Sequence, residues 1–213
     1  GQNVVAIPGT DGVVDFAISP SGAQLALVQE GALRLLPVGG GVSRLLLAQA
    51  SGTPAWLSEQ EIVVAKRGGR DGLSVVQVSD ATARVLTVPD SADASAVWHT
   101  APVPVDAGRY VLFVAKEADL TNRGHIGIVA AKGGAFRLLE AGAQRPLGWK
   151  NGQLLFMDGR SGLRSAPLNL AAGVLGAAAV VNSSTIAPEI VCVVLTGMPR
   201  KVARKIAVAP PVS

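Results

Sequence analysis

Apolar residues recur along this chain in short runs, each closed by a tight cluster of Gly, Pro or Ser. The stretch Val13 to Leu47, VVDFAISPSGAQLALVQEGALRLLPVGGGVSRLLL, shows the pattern most clearly. Its runs are Val13 to Ile18, Leu25 to Val28, Leu33 to Val38 and Leu45 to Leu47. They are separated by Ser19-Pro20-Ser21-Gly22, Gln29-Glu30-Gly31 and Gly39-Gly40-Gly41. Runs of strand length between turn residues predict an antiparallel meander of four strands.

The meander recurs, and a fixed period decides the fold before any single residue does. Phe16, Trp56, Pro102 and Leu147 stand near the first strand of successive copies, at intervals of 40 to 46 residues. Second strands read Leu25 to Val28, Ile62 to Ala65, Tyr110 to Val114 and Leu154 to Met157. Third strands read Leu33 to Leu36, Leu73 to Val76, Ile126 to Val129 and Leu163 to Ala166. The second strands are nearly all apolar, as befits a sheet covered on both faces. A four-stranded propeller blade has a period of about 40–45 residues. The prediction is all-β, a β-propeller of four-stranded antiparallel blades: 13–48, 53–90, 95–142 and 145–185, with 186–213 an incomplete fifth blade or basic tail. Met198 to Lys205 supplies the basic cluster of that tail.

These residues carry a resemblance. ISPSGAQLALV, a short turn, ALRLLPV and a Gly-rich turn before VSRLLL resemble the WD40-like propeller repeat of the TolB type, over about residues 13 to 185. From Trp98 to Asn169 the parts DAGRYVLFVA, IGIVAAKGGAFRLLEAG, GQLLFMDG and LRSAPLNLAAG resemble the propeller regions of bacterial serine/threonine protein kinases. The resemblance implies a module of a larger bacterial protein, placed outside the cytoplasm. It does not imply chemistry, because the repeat encodes turns and packing.

Composition narrows the functions further. Hydrophobic residues make up 49% of the 213 and charged residues 16%, too apolar for disorder. The net charge of +4 suits an anionic partner but falls short of a nucleic-acid footprint. The longest small-apolar run, Ala171 to Val181, is far below the about 20 residues of a membrane span. One cysteine, Cys192, allows no disulfide within the chain. Val64-Ala65-Lys66 is discounted as a kinase strand, because Val114-Ala115-Lys116 repeats it at a blade strand end and no His-Arg-Asp or Asp-Phe-Gly follows. No Gly-x-Ser-x-Gly elbow occurs, and two distant histidines with one cysteine lack metal-ligand spacing. No catalytic residue, metal or cofactor is expected.

The connections between second and third strands are long and basic in three copies. They contribute Lys66, Arg67, Arg70, Lys116, Arg123 and Arg160. A propeller gathers such loops on one face, beside the blade-to-blade connection carrying Trp98 and His99. For His99 itself a satisfied structural histidine is the leading reading. Loops on a rigid scaffold are where recognition residues sit. The expected function is a non-catalytic binding, sensor or scaffold module with an anionic macromolecular partner, a protein first among them. Exposed blade edges would invite self-association. The alternative is a hydrolase or lyase with its site on the same face, for which Asp71 or Asp158 would be the carboxylates to test.

Overall fold

The computed structural model describes residues 6–67, 72–89, 98–116, 124–141, 143–158 and 162–181. Every regular element among them is a strand. Blade 1 contains β1 (Val13–Ile18), β2 (Gln24–Gln29), β3 (Ala32–Pro37) and β4 (Arg44–Leu47). Blade 2 contains β5 (Ala50–Trp56), β6 (Glu61–Lys66), β7 (Leu73–Gln77) and β8 (Ala83–Val85). Blade 3 contains β9 (Trp98–Val105), β10 (Tyr110–Lys116), β11 (Gly124–Ala130) and β12 (Arg137–Ala141). Blade 4 contains β13 (Ala143–Lys150), β14 (Gln153–Asp158), β15 (Gly162–Asn169), β16 (Val174–Leu175) and β17 (Ala179–Val180). In each blade the strands pair in sequence order and antiparallel; in blade 4, β17 returns to pair with β15. The expected architecture of about four propeller blades is the one found.

The first strands face one another along the series: β1 packs on β5, β5 on β9 and β9 on β13. Their register explains how they fit near the axis. Ile18, Trp56, Pro104 and Trp149 lie opposite Leu25, Ile62, Val111 and Leu154, the first buried position of each second strand. Bulges then interrupt the pairing of every first strand. In blades 2 and 3 a buried proline sits there, at Pro54 and Pro102, and in blade 4 buried Pro146 lies opposite Phe156 between two bulges. Proline removes a ladder donor, and a bulge is where a strand tolerates that loss. Because of the bulges, the spacing of Phe16, Trp56, Pro102 and Leu147 does not mark one structural position. Phe16 corresponds to the proline site and Trp56 to Ile18.

Three apolar layers lie between the blades. Ala26, Val28, Leu33 and Leu35 of blade 1 meet Ile62, Val64 and Val76 of blade 2. Val63, Ala65, Leu73 and Val75 of blade 2 meet Val111, Phe113 and Val129 of blade 3. Leu112, Ile126 and Ile128 of blade 3 meet Leu154, Phe156 and Ala166 of blade 4. Gly127 permits the second layer, since a Cβ there would run into the Phe113 ring.

A polar clasp crosses each interface at the rim. Arg44 of β4 donates to the Val78 carbonyl, Arg84 of β8 donates to Ala131 O at 2.7 Å, and Arg137 of β12 donates to the Ala172 carbonyl. Each guanidinium leaves a fourth strand and reaches the turn between the third and fourth strands of the next blade. Nearer the axis, Thr53 donates to the Asp15 carboxylate, and Trp56 Nε1 donates to Ala17 O at 3.1 Å.

Candidate functional site

The connections between second and third strands emerge at one end of the molecule, together with the blade-to-blade connections. Lys66 closes β6, and its N–H donates to Gly72 O at 3.1 Å across the base of the connection. Arg67 follows, exposed, with its guanidinium over the Glu30–Gly31 turn of blade 1; a Cβ at Gly31 would collide with it. Lys116 closes β10 opposite Trp98, the exposed first residue of β9. Side chains alternate along a strand. Lys66 therefore shares the parity of Ile62 and Val64, toward blade 1, while Lys116 shares that of Leu112, toward blade 4. The structure brings Lys66, Arg67, Lys116 and Trp98 to one end but directs the two lysines to different sides. Arg70, Arg123 and Arg160 lie outside the described residues, as does Asp71.

His99 sits beside Trp98 in sequence and apart from it in space. Its side chain is 1% exposed, wedged between blades 2 and 3. Nδ1 lies 2.8 Å from Thr87 Oγ1, and that oxygen also accepts the Leu73 N–H at 2.9 Å. The ring packs on Phe113 and Phe136, with centroids at 4.6 and 4.9 Å. Nε2 is buried without a hydrogen-bond partner. Burial lowers the imidazole pKa from 6.5 to about 4, so the ring is neutral at physiological pH. Asp158, at the end of β14, forms an ion pair with Arg164 at 3.1 Å, a contact within blade 4. Among the described residues no group of three His, Cys, Asp or Glu side chains could hold a metal ion.

The opposite end carries a cleft that the sequence pattern did not single out. It encloses about 690 Å³ between the first turns of blades 3 and 4. Tyr110, Trp149, Leu168 and Leu170 line it, and Arg109 stands at its mouth, bonded to Asp106 at 2.6 Å. Trp149 Nε1 donates to Leu168 O at 3.0 Å, which fixes the indole plane. The signal was present in the aromatic residues beside two successive turns, Asp106-Ala-Gly-Arg-Tyr110 and Trp149-Lys-Asn-Gly152, but only the fold shows that adjacent blades bring them together.

No family model matches this sequence, and no curated protein sequence matches it. Solved structures do. Regucalcin, a calcium-binding protein from Agrobacterium tumefaciens, superposes with a TM-score of 0.57 at 18% identity, over 78% of this chain and 57% of that one. TolB from Acinetobacter baumannii gives 0.53 at 13% identity, over 77% of this chain and 42% of that one. A puromycin-hydrolysing peptidase from Mycobacterium tuberculosis gives 0.55 at 13% identity, over 72% of this chain and 29% of that one. This chain thus spans less than two thirds of each. At such identities the likeness is one of fold, and the fold of this chain is a TolB-like β-propeller.

Proposed function

We propose that this chain is a non-catalytic binding module, a sensor or scaffold propeller of a larger bacterial protein that resembles propeller-bearing serine/threonine kinases. An extracytoplasmic location is part of that proposal. Its partner is an anionic macromolecule, a protein first among them, met at the end where Lys66, Arg67 and Lys116 lie. The observation that carries the reading is that the exposed Lys66-Arg67 pair lies at the same end of the blades as Trp98 and Lys116, at the ends of rigid strands. Arg70, Arg123 and Arg160 belong to the same connections in sequence and add to the basic field. Asp158 supports recognition over catalysis, since its carboxylate is committed to Arg164.

The test uses heparin as a polyanion probe, followed by titration calorimetry. Each exposed pair contributes only about 0.2–1 kcal/mol, so several must act together. Affinity should fall steeply as salt shortens the Debye length from about 10 Å at 0.1 M to about 3 Å at 1 M. Lys66→Glu with Arg67→Glu should weaken binding at least about tenfold, near 1.4 kcal/mol. Arg109→Glu, at the opposite end, should leave it unchanged. Equal binding by the double variant would remove the basic end from the function. Loss in Arg109→Glu instead would move the site to the cleft.

A further inference from the structure

The first turns of neighbouring blades meet at two interfaces and part at the third. Ser21, in the first turn of blade 1, donates from its hydroxyl to Glu59 Oε2 of blade 2 at 3.0 Å. Gly108 of blade 3 lies so close to the Leu57 carbonyl of blade 2 that a Cβ there would collide with it. Between blades 3 and 4 the polar pair stays within one turn instead. Asp106, Ala107 and Gly108 take φ of 54°, 53° and 79°, and Arg109 folds back onto its own Asp106 at 2.6 Å. Successive left-handed residues are uncommon, above all at an alanine. The cleft of about 690 Å³ opens there. Its walls are fixed. Blades 3 and 4 pack on each other through Leu112, Ile126, Leu154 and Phe156. Asn169 Oδ1 accepts the Ala172 N–H at 3.0 Å, and its carbonyl accepts the Gly173 N–H at 2.8 Å. Arg137 holds the same turn from blade 3 through the Ala172 carbonyl.

We infer that this cleft binds a neutral saccharide, one sugar ring seated against Trp149 and Tyr110. Three observations select that ligand. The first is size. The volume lies within the about 300–1,000 Å³ of small-ligand sites, and exposed Asn169 and Val174 leave one side open to a longer chain. The second is charge. Asp106 and Arg109 are the charged side chains that line the cleft, and they neutralise each other. An ionic ligand would find its counter-charge already matched. The third is the chemistry of the lining. The one polar atom of Trp149 is bonded to Leu168 O, so the indole offers only apolar ring, which Leu170 and Val174 extend. Beside it stand polar groups of both kinds: the Asp106 carboxylate accepts, Arg109 and the Asn169 amide donate, and the Tyr110 hydroxyl does either. A sugar ring has the same two characters. Its C–H groups pack on the negative face of an aromatic ring, and its hydroxyls both donate and accept. A wholly apolar ligand would strip water from Asp106 and Asn169 and replace it with nothing.

This ligand is independent of the polyanion, which meets the opposite end, and its binding does not weaken with salt, because neither side carries net charge. The chain has three tryptophans, Trp56, Trp98 and Trp149. Fluorine NMR of the full chain labelled with fluorotryptophan therefore reports the cleft separately, once Trp98→Phe and Trp149→Phe have assigned the signals. The probes are cellotriose, maltotriose and chitotriose, with indoleacetate as an aromatic anion. At least one trisaccharide should move the Trp149 signal alone, saturably, with a dissociation constant of about 0.1–10 mM, in low and high salt alike. Tyr110→Phe keeps the ring and removes the hydroxyl. Asn169→Asp keeps the oxygen that holds Ala172 and removes the amide donor. Each should weaken binding about two- to tenfold, the worth of one hydrogen bond, with an unchanged circular dichroism spectrum. A Trp149 signal that none of the three sugars moves overturns the inference. So does a response to indoleacetate alone, which would make the cleft an anion site. A sugar response untouched by both variants overturns it as well, because the polar groups would then take no part.

Discussion

His99 shows how one buried side chain ties two blades together and makes the tie sensitive to acid. In the unfolded chain its imidazole takes up a proton near pH 6.5; in the fold, burial lowers that to about 4. Between these values the unfolded state binds more protons than the native one, so stability falls as pH falls. The contribution is fully present above about pH 6.5, is lost progressively toward pH 4, and changes no further below that. A shift of this size corresponds to roughly 3 kcal/mol at full protonation. His99→Leu removes the titration while Thr87 Oγ1 keeps its bond from the Leu73 N–H. Urea melts at about pH 7 and pH 4 should show the parent losing more stability than His99→Leu across that window. Equal losses would mean that carboxylates, not His99, set the acid limit.

At the scale of elements, the repeating unit is the blade with its clasp. Arg84 is the best-defined case, reaching Ala131 O at 2.7 Å and Glu61 at 3.4 Å. Arg84→Met keeps the stem and removes the bonds. It should cost about 1–2 kcal/mol, the lower part of the range for hydrogen bonds to charged groups because the site is partly solvated. Thermal melts would measure it, and no change would reduce the clasp to a surface contact. The strands themselves were legible in the sequence. Val13 to Ile18 is both the first apolar run and β1, and the runs at Ile62 and Leu154 fall within β6 and β14. Those runs are legible because a blade covered on both faces needs unbroken apolar strands. The clasps were not read from the sequence, although SRLLL, TARVL and FRLLE each carry an arginine near the fourth run, because only the packed blades show what those arginines reach. The bulges were not, because a bulge inserts one residue without a compositional mark. Pro54, Pro102 and Pro146 acquire their common meaning only once the register is known. Nor was the Thr87–His99 contact, made between a residue that follows one blade and a residue that opens the next. The candidate sites were legible only as loops. That Lys66 and Lys116 share an end but not a direction follows from strand parity, and the cleft at Trp149 follows from the angle between two blades.

Among the described residues the blades form a row, each packed against the next, so stability is close to a sum of blade and interface terms. Blades 2 and 3 have an apolar layer on both faces, whereas blades 1 and 4 have one shared layer each. Opening from the ends therefore exposes less apolar surface than opening in the middle. Hydrogen exchange should follow that order, because an amide exchanges through its cheapest opening. Amides of β6, β7, β10 and β11 should be the slowest. Those of β15 to β17 should exchange early, since the fourth strand of blade 4 is reduced to Val174–Leu175 and the short Ala179–Val180 pairing. β1 should also exchange early, because Val14, Phe16 and Ile18 are exposed on its outer face. Uniform protection across all four blades would instead show that the row opens as one cooperative unit, and the nearest-neighbour account of its stability would fail.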